Sequence, residues 1–407
     1  MFSNFSITGW RNRVNTILRQ RLFPLLTVTV VILIFLTSCG NSRMRSQDRI
    51  FLDLSLDFVG EYQLKNTSFE DTPVGGISGI VYDLDGISSD TSGFHFLAVS
   101  DDSGEYAPPR FYHLKLDLSA PDSEVTSIKE VEIEKQTFLK NEDGEVFPQE
   151  TIFAEGIGLS PRETIFIASA GKTDQNILPF VGEFELKTGK LLKKLPLPEQ
   201  YLPTENDDEH LRGVQSELGF DTLTLDPESF SPGGFDPFRL FTAVESPLLQ
   251  DRDPDGDVKL RMLHYVIADR GSFLVSENLY PLEPVSAVGD RNGLTELVAL
   301  GKGGYFLSLE RSVGESGYSD RIFQVFTGDA TDTSRIASLT GELLQVQPMR
   351  KKLLLDLAEA GIQTGNLEGM SLGPRLPDGS KSLLVVSNDN FDPQVGTRFL
   401  LFRLLSS

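Results

Sequence analysis

One arrangement recurs five times along the sequence, and a chain so organised has few ways to bury itself. Each copy holds a Gly- or acid-led strand, then a continuous apolar strand ending in Ser, Glu, Asp or Asn. An alternating strand that opens near a basic residue comes third. The copies are Gly76–Tyr82, Phe94–Asp102 and Arg110–Leu116; Glu155–Leu159, Thr164–Ala170 and Val181–Leu186; Gly219–Leu225, Arg239–Ser246 and Arg261–Tyr265; Gly293–Leu300, Gly304–Arg311 and Arg321–Phe326; and Asn366–Leu372, Ser382–Asp389 and Arg398–Leu404. Candidates for a fourth strand lie between them at Ser127–Lys135, Lys190–Leu195, Phe273–Leu282 and Arg335–Leu339. Four-stranded units repeated radially make an all-β propeller. Five or six blades are expected, six preferred, with residues 51–65 closing a sixth blade against the C-terminal strands. The competing arrangement is a pair of β-sandwiches or a two-domain β protein. Only Met349–Gly361 carries a pattern open to either a helix or a strand running into a turn.

The N-terminus reads as an address. Residues 1–21 hold Arg11, Arg13, Arg19 and Arg21 with no acid, and residues 22–36 are apolar apart from two threonines. That run is at or below the ~17 residues a spanning helix needs. A basic flank, a short apolar run and small residues describe a secretory signal. Cys39, the sole cysteine, closes Leu36-Thr-Ser-Cys39, which resembles the bacterial lipobox. The expected organisation is a signal over 1–38, a polar tether over 39–50, and a propeller over 51–407 held outside the cytoplasm through lipidated Cys39. An uncleaved anchor with an incidental cysteine is the alternative.

Strand ends on one face of a propeller converge on the central channel. Here they supply Asp101, Asp102, Glu155, Glu245, Glu296 and Glu368 as candidate metal ligands, with Asp221, Asn388 and Asn390 nearby. Glu310, Arg311 and Asp389 are the candidate catalytic groups. Carboxylates held together either retain protons or recruit a cation, and hard oxygens without His or Cys select calcium over softer metals. Asp251-Arg-Asp-Pro-Asp-Gly-Asp257 resembles the first half of a calcium loop through Asp251, Asp253 and Asp255, but position 12 is Met262 rather than Glu. A solvated acidic turn is the other reading.

Several chemistries are disfavoured. Lys plus Arg total 37 against 59 Asp plus Glu, a net charge of −22, which repels a phosphate backbone. Nucleic acid is therefore not an expected partner. The four histidines form no His-x-x-x-His pair, and Gly-x-Ser-x-Gly, Walker and dinucleotide motifs do not occur.

The series Gly76-Ile-Ser-Gly-Ile80, Phe96-Leu-Ala-Val-Ser-Asp-Asp102, Leu307-Ser-Leu-Glu-Arg-Ser312 and Asn366-Leu-Glu-Gly-Met370 with Val385-Val-Ser-Asn-Asp-Asn-Phe391 resembles the phytase-like family, described as having esterase-like activity of phytase. The resemblance runs from about residue 60 to 405 and implies a propeller that hydrolyses an ester or phosphoester. Calcium-dependent propeller phytases supply the mechanism by analogy. The reading is thus a monomeric, membrane-tethered hydrolase of a small or phosphorylated substrate, with calcium in an acidic mouth. A non-catalytic propeller that binds a ligand or a protein is the alternative.

Overall fold

The computed structural model describes residues 49–83, 93–118, 127–204, 211–231, 233–254, 256–286, 289–315 and 317–406. Asp53–Ser407 is one compact unit. Its first strand, β1 (Leu54–Leu64), precedes a small hairpin of β2 (Thr67–Phe69) and β3 (Thr72–Val74). Blade 1 then holds β4 (Ile77–Tyr82), β5 (Phe94–Ser100), β6 (Arg110–Leu118) and β7 (Ile128–Phe138). Blade 2 holds β8 (Ala154–Leu159), β9 (Thr164–Ser169), β10 (Phe180–Glu185) and β11 (Leu191–Lys194). Blade 3 holds β12 (Phe220–Leu225), β13 (Phe238–Val244), β14 (Lys259–Ala268) and β15 (Gly271–Pro281). Blade 4 holds β16 (Arg291–Ala299), β17 (Tyr305–Gly314), β18 (Gly317–Phe326) and β19 (Arg350–Asp356). Blade 5 holds β20 (Asn366–Arg375), β21 (Lys381–Asn388) and β22 (Thr397–Ser406), with β1 as its outermost strand.

The propeller therefore has five blades, and the preference for six is corrected. The segment 51–65 builds no blade of its own. The fifth repeat carries only three strands, and β1 fills the missing edge by pairing antiparallel with β22 from Leu54 opposite Ser406 to Leu64 opposite Thr397. One ladder thus closes the ring and removes an exposed edge. In blade 4 the outer strand is Arg350–Asp356, not Arg335–Leu339, so the ambiguous Met349–Gly361 segment is a strand running into a turn.

Second strands such as β9 are buried on both faces and read as unbroken apolar runs. Outer strands are mostly exposed or half-buried, as in β7. The core lies between blades: Phe166 of β9 meets Phe238 of β13 edge-on at 6.0 Å, and Phe241 of β13 meets Phe306 of β17 at 4.8 Å. The innermost strands β4, β8, β12, β16 and β20 follow one another around the axis.

Candidate functional site

All five innermost strands break register near their start. The breaks fall between Ile77 and Gly79, Ala154 and Ile157, Phe220 and Thr222, Leu294 and Glu296, and Leu367 and Gly369. A bulge turns the inserted side chain out of the pleat. The inserted positions are Ser78, Glu155 with Gly156, Asp221, Thr295 and Glu368, and three of them are acids. A second circle comes from the residues ending the second strands: Asp101, whose N–H donates to Gly76 O; Ala170, bonded to Phe153 O; Glu245, bonded to Gly219 O; Arg311, opposite Gly293; and Asn388, opposite Asn366.

The two circles meet in one funnel. Asp101, Glu155 and Glu368 each offer a carboxylate oxygen within 4.8 Å of the others. Asn388 Nδ2 donates to Asp101 Oδ2 and to Glu368 Oε2, both at 2.7 Å. Asn366 Nδ2 donates to Glu368 Oε1 at 2.8 Å. The Arg311 guanidinium donates to Asn366 Oδ1 at 2.5 Å, to Glu245 Oε1 at 3.1 Å and to Glu368 Oε1.

Arg311 is bonded to two of the five carboxyls and Arg291 acts on Glu245 from farther off, which still leaves an excess of negative charge. Burial, then the Glu368 charge, pushes the Asp101 carboxyl up to about 8. Burial and the Asp221 charge push Glu155 well up, and burial and the Glu245 charge do the same to Asp221. Burial also raises Glu245, against the pull of Arg311. Asp320 of β18, fully buried opposite Arg311, is pushed up to about 8 by the same loss of water. Groups so arranged hold either protons or a cation.

Other candidate residues lie elsewhere, and alternation along each strand is the reason. Glu310, one step from Arg311, faces the other side of its blade. It accepts from Tyr280 Oη at 2.6 Å and from the Glu283 N–H at 3.1 Å, and it pairs with Lys351. Asp389, one step past Asn388, accepts from the Gly76 N–H at 2.8 Å, the Phe391 N–H at 3.0 Å and Thr397 Oγ1 at 3.0 Å, tying blade 5 to blade 1. Asp102 accepts from the N–H groups of Gly104, Glu105, Tyr106 and Ala107 and pairs with Arg110 at 2.7 Å. Burial would raise its carboxyl, but these donors hold it below the usual range. Glu296 sits one residue beyond the bulge. Its carboxyl accepts from the N–H of Leu297 at 2.8 Å and of Leu223 at 3.4 Å, with the Met370 N–H as a third donor. It therefore bridges the inner strands of blades 3, 4 and 5 rather than facing the funnel acids.

The Asp251 hairpin follows Glu245 by six residues but, among the described residues, shares no hydrogen-bond partner with the funnel. Asp251 is buried and grips Arg261 of β14 through two bonds, Nε–Oδ2 at 2.6 Å and Nη2–Oδ1 at 2.9 Å, and accepts from the Leu339 N–H. Asp253 accepts from the Gly341 N–H at 2.9 Å. Arg261 thus engages both oxygens of Asp251, while Asp253 is held by a backbone N–H. Asp255, Cys39 and the signal and tether up to residue 48 lie outside the described residues.

Residues 72–391 match the family model Phytase-like, described as esterase-like activity of phytase. The chain belongs to the phytase-like family. The match contains every position of both circles in this phytase-like propeller. No curated protein matches the sequence. Similar solved structures include a thermostable family-43 glycoside hydrolase, at 11% identity over 84% of this chain and 94% of that one with a TM-score of 0.42. A member of the DUF4221 family from Bacteroides vulgatus is similar at 10% identity over 87% of this chain and 99% of that one, TM-score 0.37. The catalytic domain of the Coprinopsis cinerea GH62 α-L-arabinofuranosidase is similar at 9% identity over 87% and 97%, TM-score 0.38.

Proposed function

We propose that this phytase-like propeller is a divalent-metal-dependent hydrolase of an ester or phosphoester, exported and held at a bacterial membrane through lipidated Cys39. The observation that carries the reading is the convergence of Asp101, Glu155 and Glu368 within 4.8 Å in one funnel. The donor set fits calcium: the three are hard carboxylates from three blades, and Asp221 and Glu245 add charge at second range. A divalent ion there would polarise a substrate oxygen and activate water. The chain's own contribution is positional. Asn388 and Asn366 fix the two oxygens of Glu368, and Asn388 also fixes one oxygen of Asp101, so the carboxylates are oriented before a ligand arrives. Arg311 is the buried cation of the group, bonded to Glu368 and Glu245, and would offset the charge of an anionic substrate oxygen. Glu310 and Asp389 take no part in this scheme, because their oxygens are committed between blades.

The test is a panel of chromogenic esters and phosphoesters, with calcium and with chelator. Activity with calcium, lost by at least a hundredfold in Glu368→Gln with the fold intact, is the expected result. Calcium should also raise the melting temperature, and magnesium less so. Indifference of both activity and melting to calcium and chelator would sink the metal reading. A clean negative at high protein concentration, with calcium still stabilising, would assign the funnel to ligand binding without catalysis.

A further inference from the structure

The axis has a second end. The far ends of the innermost strands line a cavity of about 1070 Å³, at the upper end of the roughly 300–1,000 Å³ typical of pockets that enclose a small ligand. Every blade contributes an apolar side chain to its wall, namely Ile80, Ile157, Leu223, Leu297 and Met370. The funnel acids sit near the starts of these same strands, so the cavity and the acids lie toward opposite strand ends.

The rim of this cavity carries two opposed cations. Arg375 and Lys381 are directly opposite each other across β20 and β21, both are exposed, and both line the cavity. Like charges directly opposed weaken a strand pair. A register break between Leu372 and Arg375 sets the arginine out from the strand, and its guanidinium donates to Gly379 O at 2.7 Å, which leaves further donors unspent. Glu228 is the acid on the rim, contributed by blade 3. In a chain of net charge −22, a paired cation site beside an apolar hollow suits a ligand that is apolar along its length and negative at its head.

We propose that the cavity binds a free single-chain amphiphile of the fatty-acid class, its tail against the five apolar side chains and its carboxylate between Arg375 and Lys381. A concave site walled by every blade encloses one molecule, whereas a bilayer surface needs a protruding or flat face. The experiment uses the full chain in nanodiscs of zwitterionic phosphatidylcholine, with a diazirine-bearing fatty acid as photolabel and peptide mapping by mass spectrometry. Labelling on the strand ends around Ile157–Pro161 and Leu223–Leu225, competed by dodecanoate and unchanged by chelator, is expected. The double variant Arg375→Glu/Lys381→Glu, checked for an unchanged melting temperature, should lower that labelling at least tenfold. A diazirine-bearing fatty alcohol should label it within twofold of the original protein. Labelling confined to other surfaces, labelling that dodecanoate does not compete, or equal labelling of the double variant by the acid would each overturn the proposal. A concentration-dependent dimer that protects these peptides would assign the cavity to a second copy of the chain instead.

Discussion

A single step along β17 separates Arg311, whose guanidinium joins Glu368 and Glu245, from Glu310, whose carboxyl joins Tyr280 and Lys351. The same step separates Asp101 from Asp102 and Asn388 from Asp389. Composition and motif spacing locate such pairs but do not say which member faces the axis, because that depends on where a bulge resets the alternation. Glu155 and Glu368 were legible as axis residues, since each leads a Gly-containing inner strand. Asp320 was not, since it is one acid within an alternating third strand. Two outcomes follow at this scale. Glu310→Gln should lower stability while leaving the calcium midpoint of thermal stabilisation unchanged, whereas Glu368→Gln should shift that midpoint at least tenfold. The carboxyl of Asp101, pushed up to about 8 from 3.8, makes the folded state bind more protons than the unfolded chain between those values. Stability of the metal-free protein should thus fall as pH rises from about 4 through about 8. Thermal melts in chelator across that range should show this slope, and Asp101→Asn should make it shallower, with Asp320 and the other raised carboxyls keeping the rest.

At the scale of the strand, recurrence of inner, buried and alternating segments was readable because each has its own apolar period. The fourth strands were less so. β19 is short, basic at its start and separated from β18 by a long irregular stretch, so nothing local marks its partner. Gly156 shows why inner strands keep small residues: a Cβ there would lie 2.6 Å from Asp221 O of the next blade. Gly156→Ala should cost about 1–3 kcal/mol in chemical denaturation through overpacking. The Asp251 hairpin is fastened from within, since Arg261 is fully buried between Asp251 and Glu277 at 2.6 Å from each. Asp251→Ala leaves that guanidinium without its fork and should cost about 3–5 kcal/mol. The loss should be the same in calcium and in chelator; a loss seen only with calcium would restore the ion-loop reading.

For the molecule as a whole, radial repetition was legible and the number of blades was not, because the count depends on whether β1 starts a sheet or completes one. Its ladder with β22 joins the start of the described propeller to its end and covers the outer edge of blade 5, beside the inner contacts that already link blades 5 and 1. Removing residues 53–64 should leave β22 as a bare edge and yield aggregated protein, which size-exclusion chromatography of the truncated chain would report. The Glu296 carboxyl accepts from backbone N–H groups of three neighbouring inner strands, those holding Leu223, Leu297 and Met370. One side chain thus acts as a rivet through three sheets, and pulling it out would loosen blades 3, 4 and 5 together.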